Sequence, residues 1–282
     1  MPFSSFSNAG VACIQAGIVD TSGYPRGIAG VITAGTGAAL AVMKFAKQFG
    51  GQAPAPVRTT VVGDNNRNRH EYVFSAAQLG ELAFLFGALD LDAYAGFTGL
   101  KKFTDGNGYG VLLQSSVAPM SAQACVVVNV DAESADTATY GQKKWVNEIY
   151  PLVNITPTLA QLREIAGAEW AYTGIPTQAA TLPWGVAFTA TTHGATKAAG
   201  IILTSDYPIA VETLIATTSQ TTYALTATPA TPTATYLLAW KSGTLQTAGQ
   251  VSCSGKTVTL TGAAYNDVYV FRYESTDLLA SN

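Results

Sequence analysis

Charge is what this sequence has least of. Its 282 residues include 15 Lys and Arg and 18 Asp and Glu, so charged residues are 12% of the chain, against about 25% in a typical soluble protein. The formal net charge is -3 and no basic stripe is present. A nucleic-acid-coating protein is therefore excluded, because neutralised phosphates supply most non-specific affinity. The hydrophobic content of 48% excludes a disordered chain.

Small residues, mainly Ala, Thr and Gly, stand where charge is missing. A surface with few charges and low net charge favours association between molecules. This composition indicates a subunit of an assembly, although an Ala-rich monomer from a GC-rich genome has a similar composition.

Cysteine is also scarce. Cys13, Cys125 and Cys253 are odd in number and far apart, so we expect small buried hydrophobic residues in a reduced cytosol rather than disulfides or a metal site. The first charged residue is Asp20, which leaves no basic start for a signal peptide. The stretch 27–43 is rich in Gly, Ala and Thr and falls short of the roughly 18–20 apolar residues of a membrane-spanning helix. We therefore expect neither a signal peptide nor a membrane-spanning helix.

Catalytic and cofactor-binding patterns are missing as well. The chain has two histidines, His70 and His193, and lacks a Gly-x-Ser-x-Gly, Cys-x-x-Cys or His-x-x-x-His pattern. Residues 254–257 resemble the end of a phosphate-binding loop, but Gln250 replaces the required glycine and a strand follows. The Gly-rich stretches 35–37 and 106–110 lack dinucleotide-binding spacing. We expect no enzyme, cofactor or metal.

Paired carboxylates are the chemistry that sequence excludes least easily, because two strands can bring them together in space. The candidates lie at an expected helix end and in a polar loop, where solvated surface groups are the favoured interpretation. They are Asp90, Asp92, Asp131, Glu133 and Asp136.

The predicted fold class is mainly β with a few helices. Short strands at 223–228, 236–241, 251–254, 257–261 and 268–273 alternate with turn residues, which indicates a small C-terminal β-sandwich. The composition changes near residue 205. We therefore expect one β domain over 1–205 and a sandwich over 206–282.

The front domain combines strands with capped helices. Ser75 and Gln78 form a capping box that predicts a helix near 76–89, and Thr158 and Gln161 predict another over 159–166.

Several strands are expected around these helices. The runs 57–62 and 70–74 predict a hairpin, and 125–130 is apolar enough for a central strand. Further strands are expected at 111–117 and in a pair formed by 185–191 and 200–204, whereas 39–49 is compatible with helix or strand.

One polar cluster stands out at the tip of the predicted hairpin, over residues 64–71. Two interpretations stay open. The cluster is a solvated turn, or it is an inter-subunit loop in which the planar guanidinium groups bind carboxylates or carbonyls of a neighbour. The candidate contact residues are Asn66, Arg67, Asn68, Arg69 and His70.

In its order of elements the chain resembles a bacteriophage tail tube protein. The hairpin leading into the capped segment 75–87 is similar to the strand pair and helix that pack on the β-barrel or sandwich of such proteins, and 146–157 resembles their late strand. The C-terminal segment is similar to the immunoglobulin-like sandwiches of phage virion proteins.

The resemblance implies a non-enzymatic subunit of the virion tail, made in the host cytoplasm. Its copies would form hexameric rings stacked into a tube that other tail proteins contact and through which DNA passes, with the C-terminal domain outside. A ring subunit pairs its sheet edges with neighbours and needs little charge to protect them.

Other interpretations remain. A capsid or capsid-decoration subunit has the same kind of composition, and a hydrolase is the remaining enzymatic alternative. A carbohydrate-binding β-sandwich needs exposed aromatic platforms, for which Trp184 and Trp240 are candidates, although each fits a core position.

Overall fold

The computed structural model describes residues 6–28, 32–43, 46–51, 57–63, 67–74, 81–86, 91–98, 102–106, 108–111, 123–134, 143–158, 170–230 and 237–278. These residues form twenty strands and two helices, so the chain is mainly β with a few helices, as predicted.

The first thirteen elements run from the N-terminus to Pro176. They are β1 (Phe6–Ile18), β2 (Gly37–Ala39), β3 (Ala41–Met43), β4 (Ala46–Gly51), β5 (Val57–Gly63), β6 (Arg67–Phe74), β7 (Leu82–Phe86), α1 (Leu91–Thr98), β8 (Lys102–Asp105), β9 (Gly108–Val111), β10 (Gln123–Ser134), β11 (Trp145–Thr158) and β12 (Trp170–Pro176).

The remaining elements follow to Glu274. They are α2 (Ala190–His193), β13 (Ile201–Ser205), β14 (Ile209–Ile215), β15 (Thr222–Ala224), β16 (Leu237–Lys241), β17 (Thr244–Leu245), β18 (Val251–Ser254), β19 (Thr257–Leu260) and β20 (Val268–Glu274).

The largest sheet closes into a barrel. Its antiparallel strands follow the order β3-β1-β10-β11-β12-β7-β4, and β13 pairs beside β12 on the same edge of β11. Only residues 44 and 45 separate β3 from β4. One chain segment therefore pairs with residues 14–16 of β1 at one end of the series and with β7 at the other, which joins the two ends of the sheet.

The barrel interior is apolar, and α1 packs against it. The buried cluster inside draws residues from β1, β3, β7, β10, β11, β12 and α1. Phe97 of α1 meets Tyr172 of β12 edge-on, with ring centroids 5.9 Å apart. The helix thus covers the barrel core rather than standing on its surface.

Strand β10 is buried on both faces, as its apolar sequence predicts. Ala124, Val126 and Val128 belong to the barrel interior, whereas Cys125 and Val127 pack in a second cluster outside it. That outer cluster also contains Val211 of β14. The barrel wall is therefore one layer of a stack that continues into the C-terminal sheet.

The predicted C-terminal β-sandwich is present. One sheet has the order β17-β16-β20-β14-β2 and the other β15-β19-β18, with an apolar core from both sheets between them. Strand β2 adds an edge strand to the first sheet by pairing with β14. The division into 1–205 and 206–282 stays a prediction.

The helix expected near 76–89 is wrong where the structure describes it. Leu82–Phe86 are strand β7, in which Leu82 and Phe84 are buried and Ala83 is exposed. The apolar run suits either period, and pairing with β4 and β12 selects the strand. The helix begins later, at Leu91. Residues 75–80 and 87–90 lie outside the described residues.

Of the other expected elements, some are decided by the structure and some lie outside the described residues. The described residues of the segment 39–49 lie in strands β2, β3 and β4, except Leu40, which stands between β2 and β3. The pair of 185–191 with 200–204 is wrong, because β13 pairs with β11 and residues 190–193 form α2. The helix over 159–166 lies outside the described residues, as does 112–117 of the strand expected from Val111.

Candidate functional site

The predicted hairpin forms, and four of the five candidate contact residues lie on its second strand. Strands β5 and β6 pair antiparallel from Val57 opposite Phe74 to Gly63 opposite Arg67. Arg67, Asn68, Arg69 and His70 are in β6, whereas Asn66 lies outside the described residues.

A β-bulge interrupts the hairpin at these residues. The register passes from His70 opposite Val61 to Asn68 opposite Val62, so Arg69 is the inserted residue of β6. Bulges increase strand twist and commonly mark sheet edges and functional positions. The polar cluster therefore coincides with an irregular backbone, a feature that the sequence does not predict.

The hairpin is a sheet of its own. Among the described strands β5 and β6 pair only with each other, as do β8 and β9. A two-stranded hairpin is marginally stable alone, and the outer edges of β5 and β6 pair with no other described strand. This arrangement suits strand addition by another chain.

The candidate carboxylates do not form a cluster among the described residues. Asp92 is exposed in the first turn of α1, and Asp131 is exposed on β10. Glu133 is also on β10, whereas Asp90 and Asp136 lie outside the described residues. Within the described ranges, no three His, Cys, Asp or Glu side chains form a group that could hold a metal ion.

The remaining motifs have local structural roles. Residues 254–257 form the turn between β18 and β19, with Gly255 at φ 56°, and lead into a strand as predicted. Nδ1 of His193 accepts a hydrogen bond from the Thr189 amide at 3.1 Å and helps to cap α2. Cys13 and Cys125 are buried free thiols, and burial raises the pKa of each to about 12.

Trp184 and Trp240 are core residues, at 3% and 6% exposure. Their rings stack with centroids 5.2 Å apart, so neither is an exposed platform for a sugar. The turn at Gly185, next to Trp184, lies close to the turn at Gly243, which follows the strand of Trp240. A Cβ added to Gly243 would lie 2.5 Å from the carbonyl oxygen of Gly185, and both glycines have positive φ.

Sequence analysis missed a buried chain of amide side chains between the barrel and β14. Nε2 of Gln15 donates to Oδ1 of Asn129 at 2.7 Å, and Nδ2 of Asn129 donates to Oδ1 of Asn147 at 2.7 Å. Nδ2 of Asn147 continues to Oγ of Ser205 at 2.7 Å. All four side chains are at most 1% exposed.

This amide chain fixes the start of β14. The carbonyl oxygen of Ile209 accepts from Gln15 at 2.6 Å and from Asn129 at 3.2 Å, and its amide donates to Asn147 at 3.3 Å. Fully satisfied buried networks specify a unique arrangement. The signal in the sequence is an amide residue directly after an apolar residue in each of the three strands, namely Gln15, Asn129 and Asn147.

A second missed feature is the carboxylate of Glu212, on β14, which is fully buried. It accepts hydrogen bonds from the Tyr273 hydroxyl, the Thr226 amide at 2.7 Å and the Tyr223 hydroxyl at 3.0 Å. Burial raises the pKa of Glu212, and these hydrogen bonds partly oppose the increase. The carboxylate holds three segments of the sandwich together.

A cleft of about 600 Å³ lies between residues 39–42 and the sandwich, beside Glu212. Its walls are largely apolar, and Lys256 and Asp277 form an ion pair of 3.4 Å among its lining residues. The Glu212 oxygens beside the cleft already accept hydrogen bonds from Tyr273, Thr226 and Tyr223.

The helices of the described part are too short and insufficiently apolar to cross a membrane. No protein-family model and no curated protein sequence matches this chain.

Proposed function

We propose that this protein is a structural, non-enzymatic subunit of a bacteriophage tail. Its copies form homo-oligomeric, hexameric rings that stack into a tube around a channel for DNA. The subunit is made in the host cytoplasm and acts in the virion, where other tail proteins contact the tube.

The observation that carries the proposal is a helix-packed barrel in a chain that also forms two hairpins as separate sheets. The interior of the barrel is filled by the side chains of its described residues. Hairpins β5–β6 and β8–β9 belong to no larger described sheet. Pairing with neighbouring copies gives such hairpins the partners that one chain lacks.

The low charge of the chain supports the same proposal. A monomer protects sheet edges with charged side chains, whereas an assembled subunit covers them with its neighbours. A mildly acidic protein, with net charge -3, also lets duplex DNA slide because it does not hold phosphates.

Negative-stain microscopy of the purified protein tests the proposal. We expect rings or tubes of uniform diameter. Closed shells would instead indicate a capsid protein, and persistent monomers at high concentration would overturn the assembly itself.

The hairpin is tested by replacing Arg67 and Arg69 together with Ala. We expect assembly to fall while the thermal melting temperature of the monomer stays nearly unchanged. The matched control replaces Lys144 and Lys197, two exposed cations elsewhere, with Ala. Normal assembly by the hairpin variant would assign the polar cluster to a solvated turn.

A further inference from the structure

Arg272 lies on β20, and its side chain contacts the stacked pair of Trp184 and Trp240. Its guanidinium carbon is 4.9 Å from the ring centroid of Trp184 and 5.4 Å from that of Trp240. Two indole rings within about 6 Å hold the guanidinium group by cation–π attraction, which does not occupy its N–H donors. The side chain is half-buried, and burial lowers the pKa of Arg272.

Other partly buried cations have an anionic partner. Arg26 pairs with Asp20, and Lys143 pairs with Asp206 at 2.6 Å. Lys241 is the closest comparison, because it lies over Tyr269 at 5.8 Å and also pairs with Asp267 at 2.6 Å.

The guanidinium of Arg272 differs from these cations. Within the described part of the chain it makes neither a hydrogen bond nor an ion pair. Glu274 acts on it electrostatically without reaching ion-pair distance. One oxygen of Glu274 instead accepts from the Asp206 amide at 2.9 Å and the Tyr207 amide at 3.1 Å. The guanidinium donors beside the tryptophan pair therefore have no hydrogen-bond acceptor among the described residues.

We propose that Arg272 binds a carboxylate group through its guanidinium fork. A half-buried cation gains more from an anionic partner than a solvated one, and the planar fork matches the two oxygens of a carboxylate. Glu274 disfavours a dianion such as phosphate, because its own negative charge lies nearby. The proposal does not depend on the assembly into a tube.

Acetate is the probe for the test. Tryptophan fluorescence of the full chain is recorded while acetate replaces chloride at constant ionic strength, and the Trp184→Phe variant assigns the signal to the stacked pair. We expect a saturable change in the wild type, its loss in Arg272→Gln, and binding about fivefold or more weaker in Arg272→Lys, which keeps the charge without the fork. Lys241→Gln is the matched control and should titrate like the wild type.

A linear response in the wild type, or an unchanged titration in Arg272→Gln, would overturn the proposal. Circular dichroism of each variant establishes that it is folded. The source of the carboxylate is separated by sedimentation velocity. If a second copy supplies it, Arg272→Lys and added acetate both reduce self-association; if a free carboxylate binds, acetate saturates the signal equally at low and high protein concentration.

Discussion

The indole of Trp184 stacks on that of Trp240 with the two planes 24° apart. Trp184 belongs to the loop between β12 and α2, and Trp240 belongs to β16 of the sandwich. The contact therefore joins a loop that follows the barrel to the C-terminal sheet, and it lies in the cluster that contains the outer face of β10.

Trp184→Ala should lower the free energy of unfolding by about 3–5 kcal/mol, because it removes a large buried ring and leaves a cavity. Urea unfolding followed by circular dichroism measures the change. Tyr265→Ala removes an aromatic ring that is 63% exposed and should change stability by less than about 0.5 kcal/mol. Equal effects of the two variants would contradict the packing described for Trp184.

Asn147→Ala should destabilise the protein by about 1–3 kcal/mol, because it leaves buried hydrogen-bonding groups of Asn129 and Ser205 without their partner. Asn154 is the control on the same strand, half-buried and outside the amide chain. Its replacement by Ala should cost less in the same unfolding measurement. A larger cost at Asn154 would show that the amide chain contributes little.

Glu212→Gln tests the raised pKa of the buried carboxylate. The groups that face Glu212 are the Tyr273 and Tyr223 hydroxyls and the Thr226 and Ala227 amides, with no described cation among its partners. Because the native state holds the proton more tightly than the unfolded state, Glu212 stabilises less as the pH rises from 4.5 through the raised pKa.

The unfolding free energy of the wild type, minus that of Glu212→Gln, should therefore fall with pH across this interval and become constant above it. Denaturant unfolding at a series of pH values measures the difference. A difference that rises with pH would mean that the hydrogen bonds outweigh burial.

Gly243→Ala should destabilise the protein more than Gly262→Ala. Both glycines have positive φ, at 82° and 73°, but only at Gly243 would the new Cβ meet another backbone, that of Gly185. Each substitution costs about 1 kcal/mol for the backbone conformation, and the excess at Gly243 measures the close approach. Thermal unfolding of both variants gives the comparison, and equal melting temperatures would contradict it.

Local sequence patterns predicted those elements whose secondary structure follows from their own residues, without knowledge of the strands that they pair with. The run at 125–130 is apolar on both faces, so a central strand follows from its residues, and the turn at Gly255 defines the β18–β19 hairpin. The segment 82–86 shows the limit, because its apolar residues suit helix or strand until β4 and β12 are known. Composition gave no sign that β2 joins the sandwich.

The candidate site shows the same limit. The polar cluster at the hairpin is visible in sequence because its residues are consecutive. Gln15, Asn129 and Asn147 are distant in the chain, and only the pairing of β1, β10 and β11 brings them together. Glu212 and Arg272 gain their properties from burial and stacking, which a single sequence does not reveal.

The closed barrel also dictates an order of events during synthesis. Ile18 pairs with Ala124, and β7 pairs with β12, so the strands made first wait for partners that leave the ribosome much later. Such long-range pairing is slow and exposes unpaired strands. The nascent chain cannot close its barrel before β12, which ends at Pro176, has emerged, and until then the strands made first lack their barrel partners.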